Sequence, residues 1–315
     1  MSRSRARGTS TIAAERRMSF YIFISPWIFG FLLFQIMPII WGFSTSLTNQ
    51  MAFTVQRRFI GLDNYIKMLS DPEIWYAFLT TFIYTVSSTT LAVVTGLIIA
   101  LLLEREVPGR GIFRTILYFP YMIPLIAVGW IFKIFLDRDT GFFNIFLLKL
   151  HIIPSAVAWL SNYARGSIVS LSIWMSGWSM IIFLGGLSTI PNELYEVARI
   201  DGAGYLRRLW KITLPLLSPF AFFQFVTSSI YSMQKFIEPY ILNPRQIRGG
   251  AFTQQPPPKE TFFVMTRAYD ITFNKARFAQ GLSLLWILFI FVLIITGIFI
   301  RLGGFVVYSE VEEKR

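Results

Sequence analysis

Few residues in this chain could do covalent chemistry. It has no cysteine, so disulfides, thiolate metal sites and thiol nucleophiles are excluded, and its one histidine, His151, has no metal-ligand cluster around it. There is no Gly-x-x-x-x-Gly-Lys-Ser/Thr phosphate loop, and Gly202-x-Gly204 is too short and wrongly placed for a dinucleotide turn. What remains is the chemistry of contact. A polar stretch around Glu193, Glu196 and Asp201 interrupts an apolar sequence, as a docking element would. Rings and hydrogen-bonding groups also recur at helical spacing. Leu171, Trp174, Met175 and Trp178 share one face, and Gln224, Ser228, Tyr231 and Lys235 share another.

The elements that must position these groups are membrane helices. The 315 residues are 54% hydrophobic, 17% aromatic and only 15% charged, against about 25% charged in an ordinary soluble domain. The charge-free runs Met18–Gln56, Ile74–Leu103, Gly166–Asn192, Ile212–Gln234 and Phe278–Ile300 each exceed or approach the ~20 residues that cross a ~30 Å hydrocarbon core. A weaker run from Arg114 to Leu136 makes six. The expected fold is therefore all-α, a polytopic membrane protein with six transmembrane helices; five spans and one re-entrant segment is the alternative. The expected spans are Tyr21–Leu47, Tyr76–Leu103, Ile112–Leu136, Ser167–Ile190, Leu216–Gln234 and Phe278–Ile300. Span three carries Pro120 and Pro124, so it is bent or broken. Bent helices often line a pathway, although neighbouring helices can also simply accommodate the kinks.

Five arginines precede the first span, and the apolar run behind them is too long for a cleaved signal. Six spans put both termini on one side. The short basic segments 1–17, 104–114 and 191–214 place that side in the cytoplasm, because half of the opposing basic residues sit in the long 235–277 loop, which counts for less. The division is thus a basic tail at 1–17, a six-span domain at 18–300 with its long outer loop at 235–277, and a cytoplasmic tail at 301–315. The net charge of +12 is spread over every loop. That distribution suits anionic lipid headgroups and argues against a nucleic-acid partner.

Within 191–214, Pro191 suits a first helical turn, and Glu193 and Glu196 favour the positive end of the helix dipole. Leu194, Val197, Ala198 and Asp201 fall on one face. Gly202 and Gly204 end the helix, and a second short helix is expected over Tyr205–Thr213, with Pro215 marking entry to span five. The result is a helix–turn–helix lying across the cytoplasmic surface. Ala198, Ala203 and the glycines would let a partner approach closely.

Glu196-x-Ala-x-x-Asp201-Gly-Ala203, followed by Ile212-x-Leu-Pro215 and Pro219, resembles the "EAA" loop of the permease subunits of binding-protein-dependent ABC importers. The carbohydrate-uptake branch is the best match, since Gly61-Leu-x-Asn-Tyr65 and Phe236-x-Glu-Pro-Tyr also look like it. Val197 stands where the motif has its first Ala, and the insert at 245–260 looks longer than the family usually carries. The resemblance implies a type I ABC importer permease fold in the bacterial cytoplasmic (inner) membrane. It implies a second homologous permease subunit, two cytoplasmic ATPase subunits, an extracytoplasmic solute-binding protein and a sugar or oligosaccharide substrate.

This chain would carry no cofactor and no catalytic residue; ATP and Mg would bind the partner ATPase. The helix Glu193–Asp201 would couple to that ATPase, with Glu196 paired to a basic residue, Gly202 setting the turn, and Ala198, Asp201 and Ala203 completing the contact. The substrate pathway would run between spans four and five, through Trp174, Met175, Trp178, Ser228, Tyr231 and Lys235. Aromatic residues in membrane helices also face lipid or simply pack, and both readings stand for each. A non-sugar solute of the same family is an alternative. A secondary transporter expects ionisable residues inside the spans, whereas Lys133 and Lys235 sit only at span ends. A membrane enzyme expects a cluster of Asp, His or Cys.

Overall fold

A computed structural model describes residues 4–51, 57–104, 108–243 and 257–306. Among them the chain is all-α, with one isolated antiparallel bridge between Thr48 and Phe59. Helix α1 (Ser4–Phe31) runs through a wide turn, Leu32–Ile36, into α2 (Met37–Ser46). The short α3 (Asp63–Ser70) precedes α4 (Pro72–Glu104), then α5 (Arg110–Met122) and α6 (Leu125–Phe135). Two short helices, α7 (Phe142–Lys149) and α8 (Trp159–Asn162), lead to α9 (Ala164–Trp174) and α10 (Gly177–Leu187). Next come α11 (Asn192–Ile200), α12 (Tyr205–Arg208) and α13 (Leu214–Met233). The chain closes with α14 (Ile237–Ile241), α15 (Val264–Tyr269) and α16 (Phe278–Val306).

Among the described residues four continuous helices are long and apolar enough to cross a bilayer: Met18–Ser46, Pro72–Glu104, Tyr205–Met233 and Phe278–Gly303. Two further pairs are bent, α5 with α6 by 98° and α9 with α10 by 41°. The count is six if each pair is one span.

The two breaks have different causes. At the first, Ile123 is extended (φ −75°, ψ 138°), the conformation imposed on a residue that precedes proline, and Pro124 cannot donate a helical hydrogen bond. Pro120 stays inside α5. At the second there is no proline. The turn at Met175 and Ser176 falls where α5 presses on the chain: a Cβ on Gly177 would lie 2.5 Å from the Leu117 carbonyl oxygen and 2.8 Å from Tyr118 Cα.

The separate helix expected over Tyr205–Thr213 does not form. Instead α12 continues through a wide turn, Leu209–Thr213, into α13, so one helix runs from Tyr205 to Met233, and the helix that holds the expected span five starts 11 residues before Leu216. Pro215 does not break it. A proline ring clashes with the carbonyl four residues back, and a wide turn moves that carbonyl aside. Pro38 follows the wide turn Leu32–Ile36 in the same way.

Helix α4 is central and packs on α9, α10 and α13. In hydrocarbon, burial of an apolar side chain gains little, and helices associate through close packing. Gly96 makes this possible, because a Cβ there would lie 2.9 Å from the Met180 backbone nitrogen of α10. At one end of the molecule Asn64 of α3 is buried and donates Nδ2–H bonds to the Ser46 and Thr48 carbonyls, both at 2.8 Å, which clamps the end of α2.

The 235–277 segment is less peripheral than its composition suggests. Glu238, Ile241, Leu242, Phe263, Val264 and Ala268 are all buried, and Phe263 stacks on Tyr84 of α4 at 4.7 Å. Its Gly249-Gly250 middle, with Pro256, lies outside the described residues, as do the first three residues of the basic tail and residues 307–315 of the C-terminal tail.

Candidate functional site

A cavity of about 530 Å³ opens where the two bent pairs face α4 and α13. Each wall follows from the local structure. The break at Pro124 ends α5 so that Tyr121 reaches the cavity; the turn after Trp174 sends α10 off on a new axis that carries Trp178 there. The two rings stack at 5.5 Å and 19°. From α13, Gln224, Ser228 and Tyr231 face inward at i, i+4 and i+7. Ser88 and Thr89 of α4 sit opposite, each 3.4 Å from the Ser232 hydroxyl.

Of the six pathway candidates, Met175, Trp178, Ser228, Tyr231 and Lys235 line this cavity. Trp174 does not. Its ring packs on Phe132 of α6 at 5.6 Å, because α9 ends at Trp174 and the helical spacing that would align it with Trp178 is lost at the turn. Tyr121 was not singled out in the sequence; its partner comes from a helix 57 residues away, and no local spacing reveals such a pairing.

Gln224 is 1% exposed. Its amide donates to Ser179 Oγ at 2.8 Å and to Ser228 Oγ at 2.9 Å, which fixes the side chain across the α10–α13 interface. Its Oε1 has no partner among the described residues. A buried unpaired acceptor costs about 1–3 kcal/mol, so this oxygen favours any hydroxyl that enters.

Among the described residues Lys235 is the one charged residue lining the cavity, and it forms an ion pair with the buried Glu238. Burial pulls its ammonium pKa down, but the Glu238 carboxylate together with the Tyr84 and Tyr121 phenols outweighs this, and the net shift is upward. The lining therefore offers a stacked ring pair, hydroxyls and an amide acceptor, with its one charge balanced. This is the chemistry of a polar, hydrogen-bonding solute with apolar faces. Among the described residues no three His, Asp or Glu side chains converge as a metal site.

The second feature is the segment between α10 and α13. Pro191 caps α11 from outside (φ −60°, ψ 134°) rather than within its first turn, and Glu193 lies in that first turn. At the other end Gly202 takes φ +75°. Its N–H bonds the Arg199 carbonyl at 3.0 Å, and the Ala203 N–H bonds the Ala198 carbonyl at 2.8 Å. This pair of bonds is the Schellman cap, and it joins Ala198 to Ala203.

No residue of α11 is buried. Glu193, Glu196, Asp201 and Gly202 are exposed, and so are Val197, Ile200, Leu206 and Trp210, Ile200 at 85%. Acidic and apolar groups thus share one uncovered surface. Tyr195 ties this surface to the body. Its hydroxyl lies 3.0 Å from Thr213 Oγ1, in the wide turn that leads into α13, and burial holds its pKa above the usual phenol value.

Comparison with known proteins places this geometry. Residues 92–303 match the family model described as binding-protein-dependent transport system inner membrane component. The chain is 32% identical to the probable ABC transporter permease protein YesP of Bacillus subtilis (strain 168), covering 93% of each chain. It is 31% identical to the trehalose/maltose transport system permease protein MalF of Thermococcus litoralis, covering 90% of this chain and 93% of that one. In structure it superposes on a chain of a bacterial ABC transporter involved in import of the acidic polysaccharide alginate. The TM-score is 0.80 over 94% of this chain and 98% of that one, at 22% identity.

Proposed function

The chain belongs to the family of binding-protein-dependent transport system inner membrane components, and from that premise we propose that it lines the pathway of an ATP-driven importer of a sugar or oligosaccharide. It is a non-catalytic membrane permease subunit, and ATP hydrolysis belongs to a separate ATPase subunit. The observation that carries the reading is the unbroken helix Tyr205–Met233. One end adjoins the exposed α11 surface and the other bears Gln224, Ser228 and Tyr231 of the cavity. At 1.5 Å per residue, Tyr205 and Gln224 are about 28 Å apart along one rigid rod.

In this mechanism α11 is the coupling helix. Glu196 meets a basic residue of the ATPase, Glu193, Asp201 and the apolar Val197 and Ile200 complete the contact, and Ala198 and Ala203 keep the cap compact. ATP with Mg binds two such ATPase subunits, and their closure displaces α11. The Schellman cap and the Tyr195–Thr213 bond transmit that displacement to α13, which shifts against α10 and re-shapes the cavity as a rigid-body movement does. Trp178 with Tyr121 offers stacking faces to a sugar ring, while Gln224, Ser228 and Tyr231 bind its hydroxyls.

A second, homologous permease subunit completes the pathway. The 1–17 tail, α11 and the C-terminus lie in the bacterial cytoplasm, and 235–277 lies on the outer side, where a solute-binding protein delivers the substrate.

The test is solute-stimulated ATPase activity and uptake by the reconstituted complex across a panel of saccharides and non-sugar solutes. Because the chain has no native cysteine, Glu196→Cys can also be cross-linked selectively to the ATPase. Stimulation by one saccharide class and an efficient cross-link are expected. Stimulation by non-sugar solutes alone would remove the sugar assignment; failure of every α11 position to cross-link would remove the coupling role.

A further inference from the structure

A second pocket, about 620 Å³, lies beside the first turn of α11 and away from the solute cavity. One half is charged and net basic; the other is mainly apolar, with Ser188 and Asn192 as its polar members. Arg110 and Arg114 come from the start of α5, and Leu184, Gly185 and Ile190 from the end of α10 and the link to α11. Glu104 also faces it, so the two guanidinium groups leave a net positive charge.

Arg114 is half-buried and forms no ion pair among the described residues. Its hydrogen bond reaches the Leu103 carbonyl at 3.5 Å, the limit for such a bond, and its buried Nε has no partner. A guanidinium left this way favours a bidentate anion. The neighbouring side chains Ile112, Phe113 and Ile116 on α5 are exposed, as they would be in hydrocarbon. The basic half therefore sits where a bilayer's headgroups meet its acyl chains. A Cβ built on Gly185 meets nothing within 4 Å, so the apolar half is an open groove.

We propose that this pocket binds an anionic phospholipid, its phosphate on Arg110 and Arg114 and an acyl chain along Leu184 and Gly185. Basic pockets between membrane helices suit such headgroups. A zwitterionic lipid offers the same chain with an added cation, which two guanidiniums disfavour. The bound lipid bridges α5 to the α10–α11 link, so the lipid around the protein acts on the segment that carries α11. The inference does not depend on which solute the cavity takes.

The test uses the complete transporter in dodecyl maltoside, titrated with phosphatidylglycerol, with phosphatidylcholine of the same chain length, and with inorganic phosphate, reading the unfolding midpoint. Phosphatidylglycerol is expected to raise the midpoint saturably and the other two are not. Arg114→Gln should raise the half-saturating concentration at least about tenfold, the loss of one charge-assisted contact. Gly185→Leu fills the groove without touching the charges and should abolish the shift as well, which keeps the test decisive if Arg114→Gln fails to assemble. Arg301→Gln removes an exposed cation elsewhere and should titrate like the unaltered protein. Equal stabilisation by phosphatidylcholine, an unaltered titration in Gly185→Leu, or an equal loss in Arg301→Gln overturns the site. An equal shift with inorganic phosphate makes it a free-anion site and overturns the lipid assignment.

Discussion

Substitutions at Gly202 separate backbone conformation from size in the proposed coupling helix. Gly202 sits at φ +75°, and a Cβ there meets nothing within 4 Å. Any penalty is therefore conformational. A residue with a Cβ pays roughly 1–2 kcal/mol in the left-handed region; Asn tolerates it better, and a β-branched residue there is a genuine outlier. The expected order of function is Gly, then Asn, then Ala, then Val. With 1.4 kcal/mol per tenfold, Ala lowers occupancy of the capped state relative to uncapped states by about 5–30-fold. Opening the cap frees the Gly202 and Ala203 amides and lets α11 move without α13. The assay is saccharide uptake per ATP hydrolysed in proteoliposomes of the whole complex, with hydrogen exchange of those two amides as the structural readout. Basal ATPase activity should persist while coupling falls. A size-based account makes Asn worse than Ala, because Asn is larger. That order, or equal coupling in all four proteins, refutes the reasoning.

Tyr195→Phe deletes the bond to Thr213 while keeping the ring, a loss of about 0.5–1.5 kcal/mol; uptake per ATP should fall while the amount of assembled complex is unchanged, and unchanged coupling would show that the Schellman cap alone transmits the movement. Trp178→Ala and Trp174→Ala should part company. The first removes the ring stacked on Tyr121 in the cavity and should weaken the apparent affinity for saccharide; the second removes packing on Phe132 and should lower the unfolding temperature with affinity unchanged. Equal affinity losses would mean that the cavity wall extends past the α9–α10 turn.

How much was readable depended on how far each feature reaches along the chain. The cap of α11 was visible because everything that makes it lies within six residues, Ala198 to Ala203, and Gly202 is the signature of its left-handed position. The α13 face was also readable, since one helix carries Gln224, Ser228 and Tyr231, and Lys235, just past the end of that helix, still lines the cavity. Trp174 was misaligned because the 3.6-residue period was carried across a turn that has no local marker. That turn is made by α5, more than 50 residues earlier, pressing at Gly177. The Tyr121–Trp178 stack was out of reach for the same reason. The buried flanks of 235–277 were obscured by composition: a polar segment hid Phe263 and Val264, whose burial depends on α4.

The prolines make the same point in a sharper form. Pro124 and Pro215 both follow an apolar residue in a membrane run, yet one breaks its helix by 98° and the other is absorbed. Each deprives the helix of one hydrogen bond, a similar local cost. The difference lies in what holds the flanks. Beyond Pro124, α6 is drawn away against α14, so closely that a Cβ on Gly129 would lie 2.8 Å from Ile241 Cγ2. That packing exists only if the helix turns. Around Pro215 both flanks favour a straight path: Thr213 is held by Tyr195, and Leu217 is buried between Gly186 and α4's neighbours in the core. The chain then accommodates proline by widening one turn. A break at Pro215 would leave α11 attached to a hinge. The wide turn leaves it attached to a rod, and the proposed coupling depends on that difference.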